Sequence, residues 1–279
     1  MYFPRAFDQR KSLQLADLVV QAYCQLDRYR QNRPWSIDGD YTLATELRYG
    51  ADSTTSKSGR ISQFDTEFRQ LAKLRKQREV GLPIGFIAYS RDGVFIVFRG
   101  TMTTTEWLRD LRIQMTPYPY TKSGRVHDGF LSTYDIFRKR IIDTLAPISA
   151  GKRLYITGHS LGAALATLAI PDVISATPYR SPYAYTYGSP RVGDRDFAAA
   201  YNGMMKNRSF RIVNTSDPIV SVPFPAPFLG FLGGYFTHVD MPVDFTVQEE
   251  NIEKNHGMKT YRTALAGVRR KGLFGYLWR

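Results

Sequence analysis

The sequence contains little cysteine and no long apolar run. Cys24 is the only cysteine among 279 residues, which excludes an internal disulfide and fits a reducing compartment. The most apolar segment, residues 226–236, is interrupted by glycines and is too short to span a bilayer. Residues 1–10 lead into no apolar stretch of signal-peptide length. We therefore expect a cytoplasmic protein that is soluble or peripherally bound to a membrane.

Acidic residues are also scarce, since 25 of them face 38 lysines and arginines, giving a net charge of +13. Residues 254–279 hold seven Lys and Arg and no acid, and five leucines and aromatics lie among residues 273–278. Basic residues beside aromatics are typical of a patch that contacts a membrane surface. The equally favoured alternative is a tail that packs its apolar residues on the domain. Because no nucleic-acid motif accompanies the charge, we expect no nucleic-acid partner.

The hydrophobic pattern predicts an α/β protein. Helical periodicity at residues 7–29 and 64–80 flanks a polar loop at 48–62, and a hairpin pattern follows at 84–89 and 94–98. Strands and helices then alternate, which predicts a mostly parallel central sheet flanked by helices. We expect a single domain over 1–279, with a core at about 84–260, a helical segment at 1–80 and a basic tail at 261–279. The predicted later strands are 153–157, 183–187, 210–214 and 243–247, and the predicted later helices are 127–145, 161–169 and 194–205.

The strongest local signal is the sequence Gly-His-Ser-Leu-Gly at residues 158–162. This G-x-S-x-G pattern follows a predicted strand and precedes an alanine-rich helix, as a nucleophile elbow requires. The glycines permit a tight turn, and the helix N-terminus favours negative charge beside the serine. We therefore predict Ser160 as a nucleophile, against the alternative of a buried serine in an ordinary turn.

A serine hydroxyl needs a base and an acid that orients the base, and in this arrangement the order is Ser, then Asp or Glu, then His. Asp217 follows the predicted strand 210–214 and precedes Pro218, so we predict that it is the acid. The alternative is an Asp that only caps a turn. Asp240 and Asp244 are rivals, but they lie too close to the last strand.

Only two histidines follow the proposed nucleophile. His256 lies in a polar segment after the last strand and is the predicted base. His238 precedes that strand, and we expect it to hydrogen-bond within its loop. His159 and His127 are interpreted as structural.

Acyl transfer also needs donors for a developing oxyanion. The N–H of Leu161, next to the nucleophile, is one candidate. Thr101 follows the strand 94–98 and offers its N–H and its hydroxyl. The chain then continues into an amphipathic pattern at 103–111.

Two segments beside these positions could contact an apolar substrate. Trp107, Leu108 and Leu111 form one side of a short predicted helix, interpreted as a lid, although a fixed surface helix is the alternative. Phe224, Phe228 and Leu229 belong to a loop rich in proline and glycine that could line an acyl pocket, with packing in the core as the alternative.

Taken together these motifs resemble the class 3 (fungal-type) lipase family of α/β-hydrolases. The matching pieces are Phe98-Arg-Gly-Thr101, Val126-His-Asp-Gly-Phe130, Gly158-His-Ser-Leu-Gly162, Tyr187-Gly-Ser-Pro-Arg-Val-Gly193, the segment 214–218 and His256. The resemblance implies a triad of Ser160, Asp217 and His256. It also implies oxyanion donors at Thr101 and Leu161 and a lid near residues 103–111. Ester hydrolysis through an acyl-enzyme needs no metal or cofactor, so we expect none.

The resulting functional hypothesis is a serine carboxylic-ester hydrolase that cleaves fatty-acyl esters of glycerolipids at a membrane or a lipid–water interface. Many secreted members of the family carry signal peptides and disulfides, and this chain has neither. An internal enzyme for membrane galactolipids or phospholipids therefore fits as well as a triacylglycerol lipase. The alternatives are a small-ester esterase or peptidase, and a catalytically silent protein that binds a lipid or a partner.

Overall fold

The computed structural model describes residues 3–48, 81–101, 114–149, 151–223 and 235–267. These residues contain nine strands and six α-helices, and a 3-10 turn at Pro218–Ser221. The strands are β1 (Thr42–Arg48), β2 (Pro83–Tyr89), β3 (Val94–Phe98), β4 (Met115–Pro117), β5 (Arg125–His127), β6 (Leu154–His159), β7 (Tyr183–Tyr187), β8 (Ser209–Asn214) and β9 (Met241–Phe245). The helices are α1 (Gln9–Arg30), α2 (Asp128–Leu145), α3 (Leu161–Ala176), α4 (Arg195–Met205), α5 (Ile252–His256) and α6 (Met258–Gly267).

Seven of the strands form one sheet in the order β1-β2-β3-β6-β7-β8-β9, and β4 pairs with β5 separately. The strands from β3 to β9 in this sheet are parallel, whereas β2 is antiparallel to both β1 and β3. The C-terminal ends of the parallel strands therefore meet at one edge of the sheet, where ligand sites of open α/β sheets are found.

Helices cover both faces of the sheet. Alternate residues of β3 point to opposite sides, so that Ile96 joins the cluster under α2, α3 and α4, whereas Val97 joins the cluster under α1 and α6. Burial on both faces explains why β3, β6 and β8 are buried along their whole length.

Helix α3 lies very close to the sheet. A Cβ atom at Gly162 would stand 2.5 Å from the carbonyl oxygen of Phe98 and 2.4 Å from that of Arg99. A Cβ atom at Gly158 would stand 2.2 Å from the carbonyl oxygen of Gly162. No side chain fits at either position, and this contact sets the place of the turn at residues 159–161.

The expected α/β-hydrolase fold is confirmed. The strands and helices predicted from residue 84 onward are present with bounds shifted by a few residues, except the short helix predicted at 103–111, which lies outside the described residues. Helix α3 continues to Ala176, beyond the expected end at residue 169 and through Pro171, because nearly all of its residues are buried. The edge strand β1, the pair β4 and β5, and helices α5 and α6 were not predicted.

The C-terminal expectation needs a partial correction. Residues 261–267, expected to begin a basic tail, belong to helix α6, where Tyr261 and Leu265 are buried. Residues 268–279, the predicted helix 64–80 and the predicted loop from residue 49 onward lie outside the described residues, and the single-domain arrangement stays a prediction. Within the described ranges, no helix combines the length and the apolar character needed to cross a membrane.

The close approach of α3 gives a test of the fold. Gly162→Ala should lower the free energy of unfolding by about 1–3 kcal/mol, because the new methyl group meets backbone oxygens that cannot yield. Gly203→Ala is also in a helix, but no atom of the described residues lies within 4 Å of its Cβ position, so this change should raise stability by about 0.5–1 kcal/mol. Urea unfolding of both variants measures the difference, and equal effects would contradict the packing described.

Candidate active site

Ser160 occupies a sharp turn between β6 and α3. Its φ of 58° and ψ of −125° are unfavourable for a residue with a side chain. The surrounding hydrogen bonds hold it there, since its N–H donates to the carbonyl of Tyr187 at 2.9 Å and its carbonyl accepts from the N–H groups of Ala163 and Ala164. This is the geometry of a nucleophile elbow, so the sequence motif and the backbone agree.

His256 and Asp217 form a buried pair. The Nδ1 atom of His256 lies 2.6 Å from Oδ2 of Asp217, and both side chains are almost fully buried. Because a carboxylate can only accept, Nδ1 carries the proton and Nε2 presents its lone pair. Nε2 is buried without a hydrogen-bond partner in the described part of the chain, so it is available to accept a proton.

The predicted base, His256, lies beside the elbow. The ring of His256 packs against that of His159, the residue before Ser160, with 4.6 Å between the centroids and a tilt of 34° between the ring planes. It also borders Gly188, whose predecessor Tyr187 accepts the N–H of Ser160. The fold thus brings the ends of β6, β7 and β8 together around one histidine ring.

The two oxygens of Asp217 have different partners. Oδ1 accepts the N–H of Ile219 at 2.9 Å and caps the 3-10 turn, while Oδ2 accepts from His256 and from the hydroxyl of Tyr261 at 2.6 Å. Asp217 therefore caps the turn through Oδ1, while its Oδ2 is placed where the predicted acid would orient His256. Burial, followed by the nearby Asp217 carboxylate, raises the pKa of Tyr261 far above its ordinary value, so the phenol remains a donor.

Asn214, at the end of β8, anchors the segment that carries the histidine. Its Nδ2 donates to the carbonyls of Val247 and Asn255, and its Oδ1 accepts the N–H of Val247. The Oδ1 atom of Asn255 in turn accepts the N–H of Glu249. The histidine segment, expected to be a polar loop, is therefore a short helix fixed to β8.

Arg99 orients the peptide that leads into Thr101. Its buried guanidinium donates from Nε to the carbonyl of Pro83 at 2.8 Å and from Nη1 to the carbonyl of Gly100 at 2.6 Å. In a trans peptide the N–H points opposite to the C=O, so fixing the Gly100 carbonyl also fixes the direction of the Thr101 N–H. The Thr101 hydroxyl is buried with no partner among the described residues.

The second candidate donor is the N–H of Leu161, at the first residue of α3. The first N–H groups of a helix have no partner within the helix, and they carry a partial positive charge. A pair of N–H groups from positions 101 and 161 would suit a developing oxyanion.

The remaining histidines lie elsewhere. His238 hydrogen-bonds through Nε2 to the carbonyl of Val220 at 2.7 Å, so its partner lies in the 3-10 turn 18 positions earlier and not in its own loop as expected. Burial, followed by the charges of Arg211 and Arg191, lowers the pKa of His238 to about 3. His127 caps α2 through Nδ1 and stacks on Phe130.

The rival acids do not contact His256 in any interaction of the described residues. Asp244 is exposed on β9, and Asp240 lies near Tyr201, Ser209 and Arg211. The candidate lid and pocket residues Trp107, Leu108, Leu111, Phe224, Phe228 and Leu229 lie outside the described residues. Across the described ranges, no group of three His, Cys, Asp or Glu side chains could hold a metal ion.

Sequence reasoning missed the roles of Tyr23, Arg99, Asn214 and Tyr261. A charged residue that ends the apolar run of β3 was a usable signal for Arg99. The sequence contains no such signal for the two tyrosines, because their hydrogen-bond partners are distant in sequence. Tyr261 is 44 positions from Asp217, and Tyr23 is 136 positions from His159.

Gly188 provides a test of the site. It has a φ of +56°, and a Cβ atom there would stand 3.0 Å from Cε1 and 3.1 Å from Nδ1 of His256. Gly188→Ala should displace the imidazole and slow phosphonylation of Ser160 by about 100-fold. Gly39→Ala introduces similar strain at φ +87°, where the side chain of Tyr41, at 3.4 Å, is the neighbour found among the described residues. It should cost about 1–2 kcal/mol of stability and leave the rate unchanged.

Asp240 provides a pH test. Burial raises the pKa of its carboxyl to about 7, while in the unfolded chain it titrates near ~3.9. The folded state therefore binds more protons between roughly pH 4 and pH 7, and stability falls as the pH rises through this window. Asp240→Asn should flatten the pH dependence of the unfolding free energy, whereas exposed Asp244→Asn should not. Identical slopes in both variants would refute the assignment.

The comparisons with known proteins agree with this geometry. Residues 95–226 match the model of the lipase (class 3) family. The chain is 37% identical over 175 residues to a chloroplastic phospholipase A(1) of Arabidopsis thaliana, covering 50% of this chain and 38% of that protein. It is 33% identical over 144 residues to the secreted mono- and diacylglycerol lipase A of Penicillium cyclopium, covering 50% of this chain and 46% of that protein. The chain thus spans less than half the length of these relatives.

A solved structure extends the likeness of the fold. Lipase II from Rhizopus niveus superposes with a TM-score of 0.57 over 78% of this chain and 76% of that chain, at 21% identity. The matched region contains residues 95–98 of β3, the elbow at Ser160 and the predicted acid Asp217. Residues 95–226, nearly half of the chain, are therefore similar to class 3 lipases, and the described residues form an α/β-hydrolase fold.

Proposed function

We propose that this protein is a serine carboxylic-ester hydrolase that cleaves fatty-acyl esters of glycerolipids through an acyl-enzyme intermediate. The observation that carries the proposal is the buried pair of His256 and Asp217 beside the strained turn of Ser160. The pair leaves Nε2 of the imidazole as a base, and the turn holds a hydroxyl where a base is needed.

The acylation step follows from these positions. Oγ of Ser160 attacks the ester carbonyl carbon while Nε2 of His256 takes the hydroxyl proton. The N–H groups of Thr101 and Leu161 stabilise the oxyanion. The tetrahedral intermediate collapses, the bond from the carbonyl carbon to the alcohol oxygen breaks, and His256 returns the proton to the leaving alcohol.

Deacylation repeats the sequence with water. Nε2 of His256 takes a proton from water, the hydroxide oxygen attacks the acyl carbon, and the proton is delivered to Oγ of Ser160 as the fatty acid leaves. Throughout, Asp217 stabilises the transient imidazolium through Nδ1. The buried carboxylate is kept in place by Tyr261 and by the N–H of Ile219.

The names of the relatives, phospholipase A(1) and mono- and diacylglycerol lipase, support glycerolipids as the substrate class. Within that class, triacylglycerol, galactolipid and phospholipid are the candidates. We propose that the protein acts in the cytoplasm at a membrane or lipid–water interface. The basic and aromatic residues 268–279 support this placement by their composition.

The test is the release of fatty acid from vesicles or emulsions of triacylglycerol, galactolipid and phospholipid, and from short-chain esters. Ser160→Ala should abolish release, by at least about 10⁴-fold, and adding His256→Ala should cost no more because the residues act as a unit. Ser175→Ala, in the same helix α3 and bonded only to the carbonyl of Asp172 in the described structure, is the matched control and should retain full activity.

The panel also separates the alternatives. Hydrolysis confined to short esters would replace the lipase by a small-ester esterase. A folded wild-type protein that releases no acid from any ester and does not react with a serine-directed phosphonate would refute the proposal and favour a binding protein.

A further inference from the structure

A chain of hydrogen bonds that the mechanism above does not use runs beneath the candidate site. The N–H of Gly100 donates to the hydroxyl of Tyr23 at 2.9 Å, and that hydroxyl lies 2.7 Å from Nδ1 of His159. Nε2 of His159 lies 2.7 Å from the backbone carbonyl oxygen of His256. These hydrogen bonds connect four parts of the structure: the segment before Thr101, helix α1, the elbow and the segment that carries the proposed base.

The direction of each bond follows from the acceptor at the far end. A carbonyl oxygen only accepts, so Nε2 of His159 must carry a hydrogen. In a neutral imidazole Nδ1 is then the acceptor, and the hydroxyl of Tyr23 donates to it. The same phenol oxygen accepts the N–H of Gly100. One assignment of hydrogens therefore gives each of these hydrogen bonds a donor and an acceptor.

A protonated His159 would break this arrangement. It could not accept from Tyr23, and its charge would oppose the imidazolium that His256 must form at a ring separation of 4.6 Å. Burial, followed by the proximity of His256, lowers the pKa of His159 well below its ordinary value, which keeps the ring neutral.

This chain of hydrogen bonds reaches both the segment that carries the predicted oxyanion donor Thr101 and the segment that carries the predicted base His256. At one end it fixes the N–H of Gly100, one residue before Thr101, while Arg99 holds the carbonyl of the same Gly100. At the other end it fixes the backbone of His256 itself. Displacing either half by a fraction of an ångström would misplace an oxyanion donor or the base.

We propose that Tyr23 and His159 are positioning residues that hold the oxyanion segment and His256 in register, with His159 kept as the neutral tautomer protonated at Nε2. The proposal deepens the function proposed above and rests on it for its kinetic consequences. Helix α1, some 60 residues before the matched family region, is thereby part of the site.

The tautomer is tested without any activity. In protein labelled with ¹⁵N at histidine, the His159 ring is identified by the signals that vanish in His159→Gln, and this ring should stay neutral with its hydrogen on Nε2 from pH 5 to pH 9. If the His159 ring carries its hydrogen on Nδ1, or becomes protonated near the ordinary histidine pKa of ~6.5, the proposal is overturned.

The positioning role is tested by three substitutions. Tyr23→Phe removes the oxygen that accepts from Gly100 and donates to His159, and should lower kcat by about 10- to 100-fold with KM within about 2-fold. His159→Asn keeps an acceptor near Nδ1 and loses the donor to His256, whereas His159→Gln keeps a donor near Nε2 and loses the acceptor. Since Tyr23→Phe and His159→Gln break the same bond, the double variant should be less impaired than the product of the single effects.

Tyr41→Phe is the matched control. It also removes a phenol hydroxyl bonded to α1, here to Gln14 at 2.7 Å, and should leave kcat unchanged. A kcat for Tyr23→Phe equal to that of Tyr41→Phe would overturn the positioning role, as would a fully multiplicative double variant.

Phosphonylation of Ser160 by a small phosphonate ester separates this inference from the lipid substrate. If wild type releases no fatty acid but is phosphonylated, and Tyr23→Phe slows that reaction, the glycerolipid proposal fails and the positioning role stands. If lipid hydrolysis is normal and Tyr23→Phe slows neither reaction, the positioning role fails alone. An unreactive Ser160 in the wild type refutes both.

Discussion

The buried hydrogen bond between Asp217 and His256 is the interaction on which the rest of the site depends. A carboxylate withdrawn from water is stable only when its oxygens are satisfied, and here three donors from three different segments satisfy them. Those donors require the 3-10 turn after β8, helix α5 and helix α6 to lie in fixed relation to the sheet. The positions of helices α5 and α6 are therefore determined by their hydrogen bonds to the Asp217 carboxylate as well as by the packing of their apolar faces.

Backbone geometry places the other part of the site, the predicted oxyanion donors at Thr101 and Leu161. The absence of side chains at Gly158 and Gly162 lets α3 approach β3, so that the N-terminus of α3 and the end of β3 lie close together. Arg99 then sets the peptide plane before Thr101. The N–H groups of Thr101 and Leu161 are thus held in place by packing and by rigid peptide units.

The sequence alone could predict those residues whose roles follow from a local motif or from the order of elements along the chain. Ser160 lies in a motif with a fixed structural context, and Asp217 and His256 follow from the order of strands, so these positions could be predicted from the sequence. Edge strand β1 was not predicted, because its residues are only half buried and show no clean apolar alternation. Tyr23 and Tyr261 could not be found, because their partners are distant in sequence and only the folded chain brings them together.

The backbone at Ser160 has a consequence for the balance between stability and activity. A side chain at φ +58° costs on the order of 1–2 kcal/mol relative to glycine, which adopts this conformation without strain. Selection for stability alone would therefore favour glycine at this position. The protein instead retains a hydroxyl there at the expense of its own folding free energy, and the close packing of α3 on β3 is what allows the fold to tolerate that strain.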